Sequence, residues 1–89
     1  MSLQYKKIER LVKGFANHRR IQILELLEKN PGLSVDNISQ NLDVNFVTIA
    51  DHTRKLYDAG LVEKKHKGRF VMNSLTRAGK DIMSFCKML

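Results

Sequence analysis

The chain is poor in the residues that staple or punctuate a fold: one cysteine, one proline and no tryptophan occur among 89 residues. Cys86, standing alone, excludes an intramolecular disulfide, and a reducing, cytoplasmic setting is the expectation. One proline and five glycines are scattered along the chain, and it shows no linker, repeat or low-complexity tract. The longest unbroken apolar run is Phe70-Val71-Met72, far short of the roughly 20 residues that a membrane span needs. Met1 to Lys7 carry no apolar block of the secretory kind. Catalytic signatures are missing as well. There is no phosphate-cradling glycine loop, no zinc-hydrolase helix and no serine elbow, so no enzyme is expected. His18, His52 and His66 are scattered, which offers no metal site and no cofactor.

Acidic residues are the minority charge. Nine Asp and Glu stand against 16 Lys and Arg, a formal net charge of +7. A balance of that sign suits a polyanionic partner. The charge is also unevenly placed. Residues 1–20 carry net +5, 21–44 net −3, 45–69 net +3 and 70–89 net +2. Such a chain presents a basic face if the fold brings its basic blocks together. Hydrophobic residues make up 43%, enough for one modest core. At that size, extra burial through dimerisation is a natural expectation.

Periodicity divides the chain into seven elements. Ile8, Leu11, Val12 and Phe15 recur at helical spacing and predict an amphipathic helix over about 3–15, with Gly14 unsettling its last turn. Asn17 is placed to cap a second helix, whose stripe is Ile21, Leu24 and Leu27 with Ile23 and Leu26 beside it. Asn30-Pro31-Gly32 stops that helix. Ser34 then caps a short helix carrying Val35, Ile38 and Leu42, too short to stand alone in water. After the turn Asp43-Val44-Asn45, a longer helix runs to about Ala59. Its buried stripe should be Ile49, Thr53 and Leu56, extended by Phe46. Its other side shows Thr48, Asp51, His52, Arg54, Lys55 and Asp58. Two strand-like runs, 61–66 and 69–75, flank a turn at Lys67-Gly68 and predict a β-hairpin with a cationic tip. Thr76 caps a last helix over about 77–88 with a stripe of Ile82, Phe85, Cys86 and Leu89. The expected fold is mainly α with a small β-hairpin, in the order α-α-α-α-β-β-α. It forms a single domain over 1–89 with a helix-turn-helix at about 34–59 and a wing at about 61–75.

Two helices joined by a tight turn and followed at once by a basic hairpin make a winged helix-turn-helix. The major groove of DNA is about 12 Å wide and admits one α-helix. The short helix braces the longer one across the groove, and the longer one offers side chains to base edges. The expected DNA contacts are Asn45, Thr48, Asp51, His52, Arg54 and Lys55 on that helix, with Lys64, Lys65, Lys67 and Arg69 on the wing. Arg54 leads, because a guanidinium fork can bond two acceptors at once. Arg19 and Arg20 are candidates for phosphate, whereas Lys6, Lys7 and Lys13 read as a solvated face.

Particular stretches resemble one family. Phe15 to Leu24 is similar to an alanine-x-x-x-arginine-x-x-isoleucine-leucine opening, and Leu33-Ser34-Val35-Asp36-Asn37-Ile38 to a leucine-serine-valine-x-x-leucine motif. Leu56 to Val62 resembles leucine-x-x-alanine-glycine-leucine-valine, Gly68-Arg69-Phe70-Val71 the glycine-arginine-aromatic-valine of a wing, and Leu75-Thr76-Arg77-Ala78-Gly79 the leucine-threonine-x-x-glycine before a last helix. These are the marks of the ArsR family of transcriptional regulators. The resemblance covers about 15–76 without gaps. It implies a homodimer, joined through the first and last helices, that binds a palindromic operator in duplex DNA and represses transcription.

The chain departs from the family pattern in three places. Metal-sensing members carry a cysteine pair in the short helix, where Ser34 and Asp36 stand here, or Asp and His ligands in the last helix, which here offers only Asp81 and Cys86. The resemblance therefore implies no metal. Phe46, Val47, Ala50 and Asp51 replace small polar residues and a histidine on the recognition helix. Phe46 and Val47 can meet thymine methyls, and Asp51 can accept from a cytosine amino group or repel phosphate. Thr53 stands where leucine is usual. Two other functions stay open: a protein-interaction module anchored by Phe46 and Val47, and a non-specific DNA binder.

Overall fold

The computed structural model describes residues 2–89. Helices α1 (Tyr5–Phe15), α2 (His18–Lys29), α3 (Val35–Leu42) and α4 (Phe46–Asp58) lead into strands β1 (Val62–Lys67) and β2 (Phe70–Leu75), and α5 (Arg77–Lys87) closes the chain. The order is the expected one.

Helix starts follow local side-chain chemistry. The Asn17 Oδ1 accepts from the Arg19 and Arg20 amides at 2.9 and 3.2 Å and fixes the start of α2. Ser34 and Asn37 cap α3 reciprocally, each side chain taking the other residue's backbone N–H. Asn45 accepts from the Val47 and Thr48 amides at 2.8 and 3.3 Å. Between α3 and α4, Asp43 takes a left-handed conformation with φ of 53°, which a short carboxylate side chain tolerates. That residue turns the chain sharply enough to lay α4 across α3.

The hairpin pairs Val62 with Leu75 through Lys67 with Phe70. Its two central residues are Gly68 and Arg69, so the turn sits one residue later than the sequence suggested. Gly68 has φ of 61° and Arg69 does not share the positive sign, the pattern of a type II′ turn that matches strand twist. A bridge from Leu33 to Asn73 adds a third, one-residue rung and ties the entrance of α3 to the wing.

The core is Ile23, Leu24 and Leu27 of α2, Ile38 of α3, Ile49 and Leu56 of α4, Leu61, Val62 and Leu75 around the wing base, and Met83 of α5. Each such side chain contributes about 1.5–3 kcal/mol through burial. Thr53 is fully buried, and its hydroxyl donates to the Ala50 carbonyl at 3.0 Å, so the polar atom is satisfied within α4.

Several expectations need correction. Ile21 is only half-buried, and Ile23 takes the deeper place on α2. Phe46 does not extend the α4 core stripe. It is 51% exposed and lines an open groove with Val35 at the start of α3 and Phe70 of the wing. On α5 the core-facing residue is Met83, with Ile82 and Cys86 packed beside it. Phe85 and Leu89 point away from the body, at 48% and 91% exposure. Gly14 lies inside the last turn of α1 and does not break it. A Cβ there would fall on the Ala59 side chain, so glycine is what lets α1 close onto the end of α4.

Candidate nucleic-acid interface

Helix α4 turns Ile49, Thr53 and Leu56 into the core. At 100° per residue, Val47, Asp51, Arg54 and Asp58 line up on the opposite side. Val47 and Arg54 are exposed there, and Asp51 is half-exposed. One flank of α4 faces the wing. Lys64 leaves β1 and sits over the Tyr57 ring, 5.1 Å from its centroid. The other flank faces α1 and the start of α2, where Arg10, Lys13, Arg20, Lys55 and Asp58 line one shallow depression. The fold therefore does bring the N-terminal basic block beside the second one.

The expected contact residues separate into groups. Thr48, Arg54 and Lys55 are exposed on α4. Lys65 and Lys67 point outward from one face of the hairpin, and Arg69 occupies its tip, all three exposed. Lys64 alternates onto the other face and is half-buried against Tyr57, so it belongs to the α4–wing junction. Asn45 is exposed, but its carbonyl oxygen is committed to the cap. His52 lies off the outer line. Its Nδ1 accepts from the Arg20 Nε at 3.2 Å, and the same guanidinium donates to the Lys13 and Gly14 carbonyls at 3.2 and 3.1 Å. Arg20 thus caps α1 and joins it to α2 and α4, a role no local pattern announced.

The charges on α4 cancel. Asp51 binds Arg54 Nη2 at 2.7 Å through one oxygen and Lys55 Nζ at 3.1 Å through the other, while Arg54 Nη1 reaches Asp58 at 3.4 Å. Hydrogen bonds from Arg54 and then Lys55 hold the Asp51 carboxyl below its ordinary pKa. The i,i+3 and i,i+4 spacing of these pairs was readable in the sequence. The net positive charge of the 45–69 block is therefore carried by the wing.

The pKa of His52 is lowered as well, which for a histidine favours the uncharged form. Burial, then the Arg20 charge, lowers its pKa from 6.5, with Lys55 and His18 acting in the same sense and Asp51 opposing. A depressed histidine favours the neutral ring in the fold. Its contribution is complete above about pH 6.5 and is lost as pH falls through the lowered value. Urea denaturation at pH 7.5 and 5 should show the loss, and His52→Gln, which cannot ionise, should flatten that difference.

A family profile described as bacterial regulatory protein, arsR family, matches residues 17–64, from the α2 cap to β1. The chain belongs to the ArsR family. HlyU of Vibrio cholerae is similar over 99% of this chain and 96% of that one, with 29% identity and a TM-score of 0.84. The homodimeric winged helix-turn-helix DNA-binding domain of a possible ArsR-family regulator from Mycobacterium bovis superposes with a TM-score of 0.86 over 99% of this chain and 88% of that one; at 24% identity the likeness is one of fold. The HTH-type transcriptional regulator GlpR of Haloferax volcanii is 36% identical over 59 residues, which are 66% of this chain. This ArsR-family chain spans 23% of that relative's length. Among the described residues no helix is long and apolar enough to cross a membrane, and no cluster of three metal-ligating side chains occurs.

Proposed function

We propose that residues 1–89 act as one winged-helix domain that binds double-stranded DNA sequence-specifically and regulates transcription, as a repressor and in the cytoplasm. The observation that carries this reading is the outer line of α4, which stands free between a cationic hairpin and a second basic depression. Base edges fall to Val47, Thr48, Asp51 and Arg54. Phosphates fall to Lys55, Lys65, Lys67 and Arg69, with Asn45, His52 and Lys64 holding the surface in shape. The reading assigns no catalytic step, metal or cofactor.

The working unit in this proposal is a homodimer joined through α1 and α5. Supporting it, Tyr5, Ile8 and Val12 on α1, Phe85 on α5 and Met88 just after it are exposed apolar side chains that their own core does not use. A twofold dimer presents two α4 helices about 34 Å apart, one turn of DNA. Selection of bound duplexes from a random pool should recover a palindrome with that half-site spacing. Phe85→Glu should halve the mass seen in sedimentation and weaken binding to the selected duplex. A pool without a palindrome, or full affinity from a monomer, contradicts the dimeric reading.

A protein-binding role has one observation in its favour. Phe46, Phe70 and Val35 line a single groove beside the wing. Capture of a partner that survives high salt, by a chain that duplex DNA does not retain, would establish that role instead.

A further inference from the structure

The recognition helix has a feature that DNA affinity alone does not explain. A helix that meets a polyanion gains from unpaired cations and loses from carboxylates. Here α4 carries two of each, and one carboxylate grips both cations. Asp51 sits at the middle of the outer line, four residues after Val47 and three before Arg54. Its two oxygens are divided between the Arg54 guanidinium at 2.7 Å and the Lys55 ammonium at 3.1 Å. Asp58 holds the far side of the same guanidinium at 3.4 Å. Arg54 is thereby pinned along the helix surface from both ends.

We propose that Asp51 is a specificity-determining residue: it holds Arg54 and Lys55 off the phosphates of an arbitrary duplex, so that sequence-independent binding is left to the wing. The proposal rests on α4 being the DNA-facing helix. Non-specific binding is counterion release, and each lysine or arginine that meets a phosphate contributes to it whatever the sequence. Two cations engaged by one carboxylate contribute only after that contact breaks. The pairs are exposed, so the hold is modest, and that suits a filter. At a matching site it can be exchanged. A cytosine or adenine amino group can donate to Asp51, while guanine can take the Arg54 fork, and these exchanges need the right base. Phosphate offers Asp51 nothing but repulsion. The same carboxylate therefore weakens binding everywhere and is compensated only where the bases answer it.

The test compares Asp51→Asn with the parent chain and with Asp36→Asn, which removes an equal charge from α3. Among the described residues the Asp36 carboxylate accepts from Gln40 and pairs with no cation, so its loss releases none. Binding is measured on a short random-sequence duplex and on the duplex recovered by selection, over a range of salt. Asp51→Asn should bind random duplex about tenfold more tightly, with a log–log salt slope steeper by up to about 1.8 per protomer bound, the value for two added phosphate contacts. Its preference for the selected duplex should shrink by about the same tenfold. Asp36→Asn should leave that preference nearly unchanged. If Asp51→Asn binds random duplex no better than Asp36→Asn, or keeps the full preference, the proposal is overturned while DNA binding by α4 stands. If the parent chain shows no salt-dependent duplex binding, the DNA reading itself fails.

Discussion

Replacing Lys65, Lys67 and Arg69 together with alanine should lower affinity for any duplex by about a hundredfold at physiological salt for each wing engaged, and equally for selected and random sequences. The figure follows from counterion release. Each phosphate contact contributes about 0.9 to the log–log salt slope, so three lost contacts per protomer flatten it by about 2.7 for each wing engaged and remove roughly two decades of affinity near 0.15 M per wing. The three side chains are exposed and stand on the outer face or tip of the hairpin, so nothing in the core depends on them. Lys64 is left in place, because its position over Tyr57 holds the wing against α4. The charges along α4 are paired with one another, so the proposed reading assigns sequence-independent affinity mainly to the wing. A fluorescence-anisotropy titration at several salt concentrations measures both quantities. A small loss with an unchanged slope would place the phosphate contacts elsewhere.

Gly79→Ala should destabilise the fold by about 1–3 kcal/mol, although alanine is the better helix former by about 1 kcal/mol. The reason is space. A Cβ at Gly79 would fall on the Leu61 carbonyl oxygen and press on the Leu75 side chain. Leu61 cannot retreat easily, since its carbonyl already accepts from the Thr76 amide at 3.1 Å. Thr76 locks the same corner. Its hydroxyl donates to the Gly60 carbonyl at 2.6 Å and accepts from the Gly79 amide at 3.1 Å. The end of α4, the base of the wing and the start of α5 therefore share one close-packed joint. Urea denaturation monitored by circular dichroism gives the change directly. A stabilised Gly79→Ala protein would mean that α5 packs less closely than described.

The sequence was most informative where structure is local. Asn17, Ser34, Asn45 and Thr76 are short polar residues directly before apolar periodicity, and all four cap the helices they precede. Helical spacing also picked out Ile49, Thr53 and Leu56 as the buried line of α4. It misplaced Phe46, because periodicity gives the direction of a side chain and not whether a neighbour stands at that height. The last helix misled for a related reason. It has two apolar flanks, and its own pattern cannot say which one meets the core; Met83 does, and Phe85 is left outside. Propensity alone counts a glycine at 79 against the helix, yet a contact from 18 residues earlier requires it. The Arg20–His52 bond spans 32 residues and was invisible for the same reason. At the site, residue types and spacing located the outer face and the cationic hairpin. The division of the wing lysines between its two faces waited on the strand register.

On the proposed reading, the outer line of α4 and the outer face of the wing meet one duplex together. Backbone amide chemical shifts, followed by NMR as the selected duplex is added, test it most directly. The largest changes are expected at Val47, Thr48, Asp51 and Arg54 and at Lys65, Lys67 and Arg69, saturating at a single stoichiometry. Changes confined to α1 and α5, or to the groove of Phe46 and Phe70 without the wing lysines, would contradict it.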